Sequence, residues 1–210
     1  MWQQLFAQHR LAYPNCVPIF TDGSKSASSV GSAMVCGDLT FSRCLPVQFS
    51  IFSAELGAIS RALGHVIICR LPRAIIYTHS LSSLQCLASF AISRHPYFHL
   101  AQKLLVRISD LGLTVHFCWV PSHCGILGNE AADAAAADAC HDVVGDFPIP
   151  AADHCSAIRR ALLVSWQVLW SQEALNKLHC LPCSSFPSLL SLCHVMSGLF
   201  LLVFLSVILV

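Results

Sequence analysis

Charge is what this chain has least of. Twelve basic and eleven acidic side chains among 210 residues leave a formal net charge of +1 and an isoelectric point near 7.6. That balance excludes attraction of a polyanion by bulk charge, so a nucleic-acid partner must be held by local chemistry. The deficit is uneven, because no Asp, Glu, Lys or Arg follows Lys177. The start, MWQQLFAQHR, has no basic residues leading into an apolar run and is not expected to be a secretory leader. No internal repeat appears, and 210 residues suit one domain with extensions. Twelve cysteines are present but scattered, which argues against a disulfide scaffold in a chain this long. Reduced thiols in a cytoplasmic or nuclear setting are expected.

What is there is apolar patterning broken by a few acids. Val17 to Phe20 is a short apolar run closed by Thr21-Asp22-Gly23-Ser24, a strand followed by turn chemistry. Ser26 to Ser32 reads as a hairpin loop, with strands at Ala33 to Cys36 and Thr40 to Pro46. The period then turns helical: Leu56, Ile59, Leu63, Val66 and Ile67 share a face, with Ser53 as the expected N-cap. Arg73 to Thr78 has the β-branched density of a buried parallel strand. A helix from near Ser80 should carry Leu81, Leu84, Leu87 and Phe90 inward, and another should fill Pro96 to Leu111. Leu113 to Val120 is a fifth strand, and Asn129 to Cys140 an alanine-rich helix capped by Asn129 and Glu130. The order β-β-β-α-β-α-α-β-α predicts an α/β fold, a mixed five-stranded sheet with helices on both faces.

Three acids arrive where this order would bring them together. Asp22 ends the first strand, next to a glycine whose missing side chain permits close backbone approach. Glu55 lies in the first turn of a helix, and Asp133 one turn into the last one. His123 precedes Cys124-Gly125 in a loop between them. Taken singly, these residues read as a turn aspartate, a helix-dipole acid and a structural histidine. Taken together, IFTDGS (Ile19 to Ser24), SAEL (Ser53 to Leu56) and WVPSHCGILGNEAAD (Trp119 to Asp133) resemble the type 1 ribonuclease H family. The likeness is to the domain that follows the reverse transcriptase in non-LTR (LINE, jockey-like) retrotransposons.

The resemblance implies an endonuclease that cuts the RNA strand of RNA–DNA hybrids to leave 3′-hydroxyl and 5′-phosphate ends. Hydrolysis of this kind uses two Mg²⁺ ions about 3.5–4 Å apart, held by hard oxygen ligands. By resemblance Asp22 bridges the ions, Glu55 and Asp133 complete the acids, and His123 assists proton transfer or product release. The chain departs from the family at one position, where Thr78-His79-Ser80 stands in place of TDS. Imidazole suits Mn²⁺ or Zn²⁺ better than Mg²⁺, so His79 as metal ligand predicts impaired Mg²⁺-dependent activity with Mn²⁺ as the better cofactor. Gly23, Ser24 and Ser80 are the candidates for contacting the hybrid, with Lys25 and Arg61 the nearby cations. No feature calls for an obligate protein partner.

The domain reading is an extension over 1–15, a ribonuclease H-like domain over 16–145, a retroelement-type tail helix over 146–180 and a hydrophobic tail over 181–210. Pro148 to Ala151 marks a boundary, and Ile158 to Lys177 is helical. WQVLWSQEALNKLH, Trp166 to His179, resembles the short segment that follows the nuclease domain in such elements. Ser188 to Val210 is apolar and long enough to span a bilayer, which takes about 20 residues. It reads either as a membrane anchor, placing the protein at a membrane, or as translated noncoding sequence of a decayed element. Three functions follow: the nuclease, a catalytically inactive nucleic-acid-binding remnant, and a tail-anchored membrane protein.

Overall fold

The computed structural model describes residues 1–89 and 95–172. Phe90, the stretch after Gln172 and the whole apolar tail therefore lie outside the described residues, and with them the tail readings and Lys177. The elements in chain order are α1 (Trp2–Ala12), β1 (Val17–Lys25), β2 (Ser29–Cys36), β3 (Leu39–Pro46), α2 (Ile51–Ile68), β4 (Arg73–Thr78), α3 (Leu81–Ala88), α4 (Pro96–Asp110), β5 (Thr114–Trp119), α5 (Leu127–Ala139) and α6 (Ala151–Gln172). The strands form one sheet in the order β3-β2-β1-β4-β5. The β1–β2 and β2–β3 pairs are antiparallel, and β1–β4 and β4–β5 are parallel. The expected mixed five-stranded sheet is present.

Strand alternation sends neighbouring residues to opposite faces. Ile19, Met34, Ile76 and Phe117 pack with Leu56, Ile59, Leu63 and Val66 of α2 and Phe98, Ala101 and Ile108 of α4. Phe20, Val35, Ile75, Tyr77 and Cys118 pack on the other face with Ala132 of α5 and Phe6 of α1. Each fully buried side chain of this size contributes about 1.5–3 kcal/mol. The docking of α5 on the sheet is close: a methyl group at Gly31 would lie 1.8 Å from the Ala136 carbonyl oxygen.

Several local expectations are corrected. The N-cap of α2 is Ser50, extended in its backbone, whose hydroxyl accepts the Ser53 N–H, so Ser53 sits a turn inside. The hairpin loop shrinks to residues 26–28, because Ser29 and Ser32 are buried strand residues whose hydroxyls reach Cys140 O (2.6 Å) and Ala54 O (2.9 Å). Leu81 is exposed, while Leu84 and Leu87 turn inward. Ile126 is the N-cap of α5 rather than Asn129 or Glu130. Glu130 instead reaches back to accept the Gly125 N–H at 2.9 Å. The stretch expected as an extension contains a helix, α1, whose Phe6 ring lies 5.0 Å from that of Tyr77. The described residues from Cys155 to Gln172 belong to a separate unit, within which Trp166 and Trp170 stack at 6.0 Å. Among the described residues every cysteine is a free thiol.

Candidate active site

The site lies where β4 ends beside its parallel neighbour β1, which was expected to stop at Asp22 but runs on to Lys25 because its residues 22–25 stay paired with β2. Thr21 pairs with Thr78, the last pair of the β1–β4 ladder, which puts Asp22 and His79 side by side just beyond it. The first turn of α2 is pressed against this edge. An added methyl at Gly23 would lie 2.9 Å from the Glu55 backbone nitrogen and 3.1 Å from the Ala54 methyl. That close approach brings the Glu55 carboxylate beside Asp22, and both are almost fully buried.

His79 stands between the two acids. Its Nδ1 lies 2.7 Å from Asp22 Oδ1 and its Nε2 lies 3.0 Å from Glu55 Oε1. The main chain of His79 is held by Trp119, whose indole N–H donates to the His79 carbonyl at 2.9 Å. The carboxylates of Asp22 and Glu55 facing its two nitrogens raise the imidazole pKa to about 10, against a smaller opposing effect of burial. Burial pushes the Asp22 carboxyl up, partly offset by His79 and reinforced by the nearby Asp133. Glu55 is likewise raised by burial, with His79 opposing and Asp22 adding to the shift.

The Nδ1–Oδ1 approach is short without being well directed. Asp22 Oδ1, Asp22 Oδ2, Glu55 Oε2 and His79 Nδ1 are all buried polar atoms lacking an aligned hydrogen-bond partner. The contact is therefore one of opposite charges, and the carboxylate oxygens remain open to a cation. Leaving such oxygens unmet is costly, and hard anionic oxygens are the ligands a divalent cation takes. Asp22, Glu55 and His79 offer ligand atoms all within 4.8 Å of one another, so this donor set fits a metal ion. His123, Glu130 and Asp133 form a second such group.

The other expected site residues fall around this centre. Asp133, on α5, is close enough to raise the Asp22 pKa, and its Oδ2 lies 3.7 Å from His123 Nδ1. His123 is exposed and has a positive φ of 53°, uncommon outside glycine, in the loop between β5 and α5. Gly23 serves the β1–α2 contact. The Ser24 carbonyl lies 3.9 Å from Cys140 Sγ. Ser80 is buried, its hydroxyl 2.8 Å from that of Ser83. Of the two nearby cations, Lys25 donates to the Val47 and Phe49 carbonyls, and Arg61 lies over the Phe41 ring at 4.6 Å.

Two contacts were not foreseen in the sequence. Gln3 of α1 donates to the Gly125 carbonyl at 3.0 Å, tying the first helix to the histidine loop. Ser53, two residues before Glu55 on α2, meets His95 and Asp153 in a buried polar cluster. Asp-Pro-type punctuation or helical period signals neither, since both join residues more than forty apart in sequence.

The sequence matches the family described as RNase H over residues 14–141. None of the curated proteins matches the chain. Among solved structures it is similar to the N-terminal RNase H domain of a Mycobacterium tuberculosis protein, solved as a fusion with maltose-binding protein. The identity is 18% and the TM-score 0.48, covering 67% of this chain and 99% of that one. It is also similar to RNase H1 from the halophilic archaeon Halobacterium salinarum, at 22% identity and TM-score 0.44, covering 60% and 98%.

Proposed function

Because this chain belongs to the RNase H family, we propose that it cleaves the RNA strand of RNA–DNA hybrids at the centre formed by Asp22, Glu55 and Asp133. The observation that carries the reading is the burial of Asp22 and Glu55 side by side, with Asp22 Oδ1, Asp22 Oδ2 and Glu55 Oε2 lacking an aligned hydrogen-bond partner. Divalent cations, when bound, would supply an activated water and stabilise the leaving alkoxide. Asp22, Glu55, His79 and Asp133 are the residues that would hold them. Burial of the first two acids keeps competing water from their ligand oxygens. His123, exposed on its loop beside Asp133, is placed to exchange a proton with solvent at the rim. Gly23 and Ser24, next to Asp22 on β1, would contact the hybrid, whose 2′-hydroxyls distinguish its RNA strand. The Ser80 hydroxyl is engaged within α3, so its contribution would pass through the main chain.

In this reading Mn²⁺ supports the reaction better than Mg²⁺, since an imidazole replaces one oxygen ligand. The SAEL and WVPSHCGILGNEAAD segments further support descent from a non-LTR retroelement. A second reading, a hybrid-binding domain without catalysis, is favoured by one observation: His79 pairs with both Asp22 and Glu55 and so competes with a cation for them. The deciding experiment is cleavage of a labelled RNA–DNA hybrid with Mn²⁺, beside Asp22→Asn. Cleavage that this substitution abolishes supports the nuclease. Hybrid binding without cleavage supports the second reading, and neither binding nor cleavage overturns both.

A further inference from the structure

The polar cluster at Ser53 reaches outside the family match, which ends at residue 141. Asp153, in the first turn of α6, is the one buried residue of that helix among those described. It belongs to the nuclease unit, Met1–His154, and its backbone N–H is fixed on the Pro150 carbonyl at 2.9 Å. Its Oδ2 accepts the Ser53 hydroxyl at 2.6 Å. Ser53 Oγ also lies 2.8 Å from His95 Nε2 and receives the Ser50 hydroxyl at 3.0 Å. All three of Ser53, His95 and Asp153 are buried.

A serine hydroxyl has one proton and two lone pairs. The proton goes to Asp153, because a carboxylate can only accept. The lone pairs then take the Ser50 O–H and the His95 Nε2–H, which fixes that proton on Nε2. Every bonding position of the Ser53 hydroxyl is used, and Asp153 is its acceptor. We infer that Asp153 is a positioning residue for Glu55: it closes the hydrogen-bond hub at Ser53 and thereby sets the first turn of α2 against Gly23.

The path is short. Ser53 is two residues before Glu55, and Ala54 between them is held through its carbonyl by Ser32 at 2.9 Å. On the far side the turn abuts Gly23, where no methyl group would fit. Without Asp153 the Ser53 proton can be met only if His95 gives up its Nε2 proton and accepts instead, which reverses the hub. The hydroxyl then turns away from its set direction, and the first turn of α2, with Glu55, loses its fixed seat. A ligand displaced by about 1 Å can cost on the order of 10²-fold in a reaction, so a small rotation suffices. The segment after the family match is in this account part of the site's framework.

The inference rests on the reading that Asp22 and Glu55 hold a cation, and a binding measurement separates the two. Mn²⁺ binding to the full chain carrying His79→Asp, followed by electron paramagnetic resonance of the free ion, gives the baseline. Adding Asp153→Ala should weaken binding about tenfold, while Asp153→Asn, which keeps an acceptor oxygen, should stay within about twofold of the baseline. Thermal unfolding is recorded in parallel. Should Asp153→Ala not fold, Asp153→Leu keeps the volume and removes the acceptor. A lowered unfolding temperature with unchanged Mn²⁺ binding makes Asp153 merely structural and overturns the inference. Equal weakening by Ala and Asn overturns it too, since the effect would then be one of charge. No Mn²⁺ binding by the His79→Asp chain itself overturns the metal reading beneath it.

Discussion

The imidazole of His79 lies 2.7 Å from Asp22 and 3.0 Å from Glu55, with one ring nitrogen turned to each carboxylate. A residue expected as a soft metal ligand therefore also acts as a counter-charge inside the site. In the metal-free protein it neutralises part of two buried acids, and a cation must compete with it for the same oxygens.

The native chain should cleave hybrid only weakly with Mg²⁺ and faster with Mn²⁺. His79→Asp removes the internal counter-charge and adds a hard oxygen ligand, so the Mg²⁺-supported rate should rise by orders of magnitude. Asp22→Asn in that background should return it to baseline. Strong Mg²⁺ cleavage by the native chain would show that imidazole does not impair the site.

The stability of the metal-free protein should depend on pH through His79. Its folded pKa, about 10, is raised above the ordinary 6.5. The proton is thus bound more tightly in the folded state, so the stabilisation is complete below about pH 6.5 and is lost as pH climbs through about 10. The raised pKa values of Asp22 and Glu55 act in the same sense at lower pH, since both acids favour their neutral forms when buried. Urea unfolding between pH 6 and 10 should show a decline that His79→Gln flattens. Equal slopes in both proteins would refute the pairing.

Gly31→Ala should cost at least about 3 kcal/mol, at the upper end of overpacking penalties. The new methyl meets the Ala136 carbonyl, a backbone atom that moves only if α5 moves. Because α5 carries Asp133, hybrid cleavage should fall further than stability alone accounts for. Denaturant midpoints and cleavage rates on the same preparations check both.

Phe6→Ala should destabilise the domain by about 2 kcal/mol, less than a fully buried Phe→Ala change, because Phe6 is only partly buried. Its ring contacts those of Tyr77 and Phe20 on the sheet face opposite α2. An unchanged midpoint in urea would mean that α1 does not belong to the core.

Local periodicity and punctuation were enough to determine much of this protein. Arg73 to Thr78 was legible as a strand to the residue, because a buried parallel strand has apolar density on both faces. Asp22, Glu55 and Asp133 could be singled out through the IFTDGS, SAEL and WVPSHCGILGNEAAD segments, whose resemblance to the ribonuclease H family is local in the chain. Buried serines were misread for a related reason. Ser29, Ser32 and Ser53 look like loop or cap residues, yet each has its hydroxyl satisfied by a partner more than twenty residues away. The closeness of His79 to both acids, the Asp153–Ser53–His95 hub and the seating of Phe6 were decided by tertiary structure alone. They depend on which strand ends lie side by side and on which helix turns press against them. A hydrogen bond across a hundred residues leaves no period in the chain, because its geometry exists only once the sheet has formed.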